Sequence, residues 1–189
     1  DEYRRTLKEA VSETHRVSTT LKNVLDLAWS ETPMEQKNSV SFDLSKLMEE
    51  LFELTEKMAL KKNIKVSGAF DKNIIIVGFK EKLGRAILNI IDNAIKYSPH
   101  KGKVSIILKK NKYQVILEIK DNGIGISKKD IIHIFDRFYR GSAREKILGS
   151  GLGLAIAKAI VNSHRGDIEV KSEIGEGTVF IITLPLVPS

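Results

Sequence analysis

Three glycines at alternate positions, Gly149, Gly151 and Gly153, stand in front of a helical pattern in the stretch GSGLGLAIAKAI. Backbone N–H groups at a helix start attract anions, and glycine lets a phosphate approach them closely. A second candidate lies in NIIDNAIKYSP, residues 89–99, where Asn89, Asn93 and Lys96 recur at i, i+4 and i+7. On a helix that spacing puts two amides and an ammonium on one face. Leu88, Ile91 and Ile95 form an apolar stripe beside them, so the polar row borders a core. Asparagine is a poor helix former, which makes its repetition there informative. A third candidate, DNGIGI at 121–126, follows directly on a strand pattern and by itself signals only a turn. A fourth, FDRFYR at 135–140, laces an aromatic cluster with two arginines.

Two common phosphate motifs do not fit. A dinucleotide-binding fingerprint needs glycine at its sixth place, where Leu154 stands, and a strand immediately before, where SAREKIL is a poor one. It also needs an acidic residue at the end of the next strand, whereas Asp167 begins one. A Walker A loop fails because no Gly-Lys-Ser/Thr follows.

Composition bounds the remaining choices. The 189 residues are 42% hydrophobic and 29% charged, as in a soluble globular protein of one domain with an appendage. No run approaches the roughly 20 apolar residues of a membrane span. The absence of cysteine removes disulfide and thiol chemistry and agrees with a reducing compartment. The chain starts at Asp1 without Met or signal peptide, which predicts a piece of a longer protein. Its net charge of +7 is concentrated in residues 101–146. That excess is either a lysine-rich solvated surface or a positive field around a phosphate-bearing ligand. Aromatics are 6%, with no basic stripe interleaved with them, so nucleic acid is disfavoured as a partner.

The elements that must position these residues are legible in the periodicity. Residues 1–31 alternate apolar or small residues in a 4-3 pattern (Tyr3, Leu7, Ala10, Thr14, Val17, Leu21, Val24, Ala28). This predicts a long amphipathic helix for a coiled coil or bundle, or one packed on the following domain. Residues 32–41 are polar, contain Pro33 and predict a linker. From Phe42 a compact domain is expected, with Asp43 capping a helix whose inner side carries Leu44, Leu47, Met48, Leu51 and Met58. Strands are predicted at 64–70, 74–77, 104–108, 114–120, 167–172 and 178–184, with helices at 80–97 and 152–163. Helices mixed with mainly hairpin-joined strands predict an α/β (α+β) two-layer sandwich with a mixed, mostly antiparallel sheet.

Taken in order, the motifs resemble those of the catalytic, ATP-binding domain of sensor histidine kinases. That family shares its superfamily with DNA gyrase, mismatch-repair ATPases and the large heat-shock chaperones. NIIDNAIKYSP resembles the N box, DNGIGI and GSGLGL the glycine boxes, FDRFYR the F motif and GEGT the last glycine turn. The resemblance covers residues 42–185, while residues 1–31 resemble the second helix of a dimerisation domain.

What the resemblance implies is specific. The fold would be the Bergerat-type ATP-binding sandwich, with ATP and Mg²⁺ as cofactors. Asn93 would give an amide oxygen to Mg²⁺, a hard cation suited to oxygen ligands. Asn89 and Lys96 would reach the phosphates, and Tyr97 would lie along the nucleotide. Asp121 would accept from the adenine amino group, with Gly123 and Ile126 alongside. Gly125 would leave room for the purine, and Thr178 would assist Asp121 through its hydroxyl. Gly149, Ser150, Gly151, Leu152 and Gly153 would wrap the triphosphate, and Arg140 would meet the γ-phosphate. Residues 122–148 would form a nucleotide lid, anchored to the core by the rings of Phe135 and Phe138.

The implied reaction is transfer of the γ-phosphoryl group to a histidine, with Asn89, Lys96 and Arg140 as the catalytic candidates. Hydrolytic relatives carry glutamate in place of Asn89, and an amide cannot serve as a general base near neutral pH. His15, His100, His133 and His164 do not match the family's acceptor, so the chain is expected to be the donor half. Expected partners are a response-regulator receiver domain and the dimerisation domain of the parent kinase, without nucleic acid. A membrane would be met only through segments of the parent beyond this chain, in a cytoplasmic setting. The alternatives are an anti-sigma-type serine kinase, disfavoured by the coiled-coil helix, and a non-catalytic ATP-responsive interaction module.

Overall fold

A computed structural model describes residues 39–141 and 150–186, together with Tyr3, Thr6, Leu7, Ala10, Val11, Glu13 and Thr14. Those seven early positions are helical and exposed. The rest of the predicted first helix, His15, the stretch to residue 38, and the lid segment 142–149 with Gly149 lie outside the described residues.

The first strand begins within the last two residues of the predicted linker. β1 (Val40–Asp43) pairs antiparallel with β3 (Ile75–Gly78), Phe42 standing opposite Ile76. Helix α1 (Leu44–Ala59) follows at once, because the Asp43 carboxylate accepts from the backbone N–H of Ser45 at 2.9 Å and Lys46 at 3.4 Å. Its inner face buries Leu44, Leu47, Met48 and Leu51, while Met58 is half-buried against the same core.

α2 (Lys80–Tyr97) has the bounds that its periodicity predicts. Ile87, Ile90 and Ile91 on its inner side are fully buried. Its C-terminal carbonyls are unusually well served. Lys62 Nζ donates to the carbonyls of Ile95, Lys96 and Ser98 at 3.1, 2.6 and 3.3 Å. A cation there answers both the orphan acceptors and the negative end of the helix dipole. Extended backbone at Ser98 before Pro99 then ends the helix.

The main sheet has the order β2-β4-β5-β7-β6, built from β2 (Lys65–Phe70), β4 (Lys103–Lys110), β5 (Gln114–Asp121), β6 (Asp167–Glu173) and β7 (Gly177–Pro185). All pairings are antiparallel except β2 with β4. The parallel pair requires a crossover, which β3 and α2 supply. Alternate residues on one face, including Ile106, Leu117, Ile119 and Ile182, are fully buried beneath the helices. α3 (Lys128–Ile131), a single turn inside the predicted lid, and α4 (Gly153–Ser163) complete the described order. The result is a two-layer sandwich with helices on one face of a mostly antiparallel sheet, as the patterning predicts. Among the described residues, no helix is long and apolar enough to cross a membrane.

His164, at the end of α4, fastens two helices together. Its Nε2 accepts the Phe79 N–H at 3.0 Å, in front of α2. Its Nδ1 lies 2.8 Å from the Ile160 carbonyl, which can only accept, so Nδ1 carries the proton. Burial lowers the imidazole pKa, and nearby Lys82 adds to the shift while the Ile160 carbonyl opposes it. The ring is therefore a neutral structural joint. Gly78 leaves it room, since a Cβ there would collide with Cδ2.

Candidate functional site

A cavity of about 350 Å³ opens where α2, the end of β5 and the start of β7 meet the 124–141 loop. Its lining includes Asn93, Tyr97, Asp121, Gly125, Ile126, Arg140 and Thr178, seven of the sequence-predicted site residues. Ile124, Ile134, Leu154, Ile174 and Phe180 supply apolar walls suited to a flat aromatic group.

Asp121 is 4% exposed, at the inner end of β5. Its Oδ1 accepts the Gly123 N–H at 2.8 Å and the Thr178 N–H at 3.3 Å. No described residue donates to its Oδ2. Burial raises the carboxyl pKa, and the two backbone bonds pull it back. A buried acceptor with one free oxygen at a cavity calls for a donor from outside the chain.

Thr178 faces Asp121 across the β5–β7 ladder, and Ser172 faces Thr178 across β6–β7. The Ser172 hydroxyl donates to the Gly177 carbonyl at 2.8 Å and accepts the Ile126 N–H at 2.8 Å. It also lies 2.9 Å from Thr178 Oγ1. Sequence reasoning missed Ser172. Its signal was the IGEG turn, whose register sets Ser172 beside the predicted Thr178.

Several of the predicted glycines are also required by the chain itself. Gly125, expected to leave room for a purine, has φ +71°, and a Cβ there would strike the Glu173 carbonyl at the end of β6. Gly151, expected on the phosphates, has φ +73°, and its Cβ would strike the Phe138–Tyr139 backbone. Both positions demand glycine because two chain segments press together. Gly123 similarly lies against the Tyr97 carbonyl. Two of them face polar candidates: a Cβ at Gly123 would strike Asp121 Oδ1, and one at Gly153 would stand 3.7 Å from Asn89 Cγ.

Asn89 does not line the cavity, but its Nδ2 is buried and has no hydrogen-bond partner among the described residues. An orphaned amide donor beside the start of α4 marks a place where an acceptor is missing. α4 opens without a side-chain cap, its N-cap residue Leu152 being fully buried. Ser150 Oγ accepts the Leu152 N–H at 3.3 Å. The first amides of α4 and Asn89 thus converge where an anion would complete both.

Lys96 is placed differently from its expectation. It is absent from the cavity wall and is paired with Asp92 at 2.6 Å, one turn back on α2. Phe135 packs half-buried against the core as expected. Phe138 does not; it is 59% exposed, with φ +62°. Tyr139 holds the segment instead. Its hydroxyl donates to Asp130 Oδ1 at 2.7 Å, while Ser127 Oγ donates to Oδ2 at 2.8 Å.

The match to the family model described as histidine kinase-, DNA gyrase B- and HSP90-like ATPase covers residues 78–188. The sensor histidine kinase WalK of Bacillus subtilis is 36% identical over 181 residues, covering 92% of this chain and 29% of that protein. The chain thus spans under a third of the curated relatives' length. Among solved structures, the mycobacterial sensor histidine kinase MprB aligns with a TM-score of 0.69 at 31% identity, over 79% of this chain and 99% of that one. Histidine kinase ThkA, solved in complex with the response regulator TrrA, shares the fold at 23% identity and a TM-score of 0.72, over 94% of this chain and 49% of that one.

Proposed function

Because the chain belongs to the histidine kinase-, DNA gyrase B- and HSP90-like ATPase family, we propose that its cavity binds Mg-ATP and presents the γ-phosphoryl group to a protein histidine. One observation carries this reading. The cavity holds an unsatisfied carboxylate oxygen on Asp121, and outside its lining an orphaned Asn89 amide stands beside an uncapped helix start. The first suits the adenine amino group, and the second suits phosphate oxygens.

Asp121 orients the base, and the apolar walls exclude water from it. Tyr97, 37% exposed, lines the cavity beside them. Asn93 lines the cavity with an amide that bonds to no described residue, so its oxygen is available to Mg²⁺. The ion would neutralise charge between the phosphates. Phosphate oxygens and water would complete its shell. Arg140, at the cavity, favours the transferring group as charge builds there. Lys96 would join only by exchanging Asp92 for a phosphate.

Asn89 distinguishes a transferase from a hydrolase, because an amide cannot deprotonate water at neutral pH. Catalysis then rests on positioning and charge neutralisation, with the nucleophile supplied by a dimerisation domain. A response-regulator receiver domain is the expected next acceptor; ThkA, which shares the fold, has been solved in complex with the response regulator TrrA. The test is incubation with γ-labelled ATP and a separately supplied dimerisation domain bearing its acceptor histidine. Acid-labile, base-stable label on that domain is expected. Acid-stable label would point to a serine kinase, and binding without transfer to an ATP-responsive module.

A further inference from the structure

The hydrogen-bond arithmetic around Ser172 fixes which way the Thr178 hydroxyl points. A carbonyl only accepts, so the single Ser172 hydroxyl proton goes to Gly177 O, 2.8 Å away. The Ile126 N–H only donates, so Ser172 Oγ accepts it, also at 2.8 Å. With that proton committed, the 2.9 Å contact between Ser172 Oγ and Thr178 Oγ1 needs a proton from threonine. Thr178 is 6% exposed and lines the cavity, where it therefore shows lone pairs. Asp121 Oδ2 likewise offers only acceptance as a carboxylate.

We propose that Ser172, which is not in the cavity wall, is a specificity-positioning residue that turns the Thr178 hydroxyl inward and leaves this end of the site lined with acceptors. The nucleobase edge, or any water that bridges to it, must then bring donors. A base with an exocyclic amino group is accepted, and one with a carbonyl there meets unrelieved acceptor–acceptor opposition. The inference rests on the nucleotide reading and deepens it. The same hydroxyl ties the Ile126 amide to β6, so one side chain joins the loop to the base-reading wall.

The test compares ATP with inosine triphosphate, which replaces the amino group by a carbonyl, by calorimetry on the whole chain. Ser172→Ala releases the Thr178 hydroxyl to rotate and donate, so the ATP preference should shrink about tenfold, the scale of one hydrogen bond. Ser172→Thr keeps a hydroxyl and should keep the preference. In a Thr178→Val background, Ser172→Ala should leave the ratio unchanged, which a general loosening of the loop would not do. Thr178→Val alone, nearly isosteric, should weaken ATP more than inosine triphosphate and covers the case in which the alanine variant fails to fold. An unchanged ratio in Ser172→Ala, or a ratio that shifts equally in the valine background, overturns the proposal while leaving ATP binding intact. Failure of the wild-type chain to bind ATP overturns the nucleotide reading and this inference with it.

Discussion

Replacing Asp121 by asparagine should reverse the base preference of the site rather than simply weaken it. Asp121 Oδ1 accepts two backbone N–H groups, from Gly123 at 2.8 Å and Thr178 at 3.3 Å. Only an oxygen can occupy that place, so the asparagine amide must set its Nδ2 where Oδ2 stood. A donor then faces the cavity. For ATP the loss of a hydrogen bond to a charged group is about 1.5–3 kcal/mol. That corresponds to roughly a 10- to 150-fold weaker Kd, with opposed donors pushing toward the upper end. For inosine triphosphate the same change creates a bond, so its affinity should rise above wild type. Folding should not suffer. Burial raises the Asp121 pKa, so ionising the carboxyl costs more in the native state than in the unfolded chain. Wild-type stability therefore falls as pH rises from the unfolded value through the raised native one, and then levels. The asparagine variant should lack that fall. Calorimetric titration with both nucleotides, and urea unfolding at several pH values, measure these quantities. Retention of wild-type ATP affinity in the variant, or no gain for inosine triphosphate, would refute the assignment of Asp121.

Other outcomes follow from the same geometry. Wild-type affinity for Mg-ATP should exceed that for Mg-GTP and should decline on acidification, starting above the ordinary carboxylate range, as Asp121 takes up a proton. His164 has a depressed pKa, so the unfolded state binds the extra proton just below about pH 6.5. Stability should drop across that interval in wild type, and urea midpoints for His164→Gln should be lower at pH 7.5 but flatter with pH. Gly125→Ala, at φ +71° and against the Glu173 carbonyl, should cost more than about 1–2 kcal/mol in chemical unfolding. The chain alone should show neither stable autophosphorylation nor appreciable phosphate release. With a supplied acceptor domain, Arg140→Ala should slow transfer more than it weakens ATP binding.

Strong periodicity made much of the architecture readable. α2 has its predicted ends because its apolar spacing runs unbroken until Pro99 stops it. β1 was invisible because VSFD is short and its partner, β3, lies more than thirty residues further along the chain. The site was legible in its polar members, since Asn93, Asp121 and Thr178 have few reasons to be where they are except to meet a ligand or each other. The glycines were ambiguous for a physical reason. A glycine reports that something approaches closely, but not what; at Gly125 and Gly151 the visitor is backbone. Phe138 misled, because an aromatic residue in a cluster predicts burial and a positive φ turned it outward. The IGEG turn points to Ser172 only once the β6–β7 register is known.

The strand order has a consequence for how the chain is made. β7 comes last among the described strands, yet it lies inside the sheet, between β5 and β6. A ribosome therefore delivers β4, β5 and β6 before the strand that joins them. Until β7 inserts, β5 shows an unpaired edge, and Asp121 lacks both the Thr178 amide and its threonine neighbour. ATP thus has no base-reading wall to bind on an incomplete chain. A nascent chain stalled before residue 177 should depend on chaperones rather than nucleotide to stay unaggregated, and arrested chains of graded length should gain ATP protection only once β7 has cleared the exit tunnel.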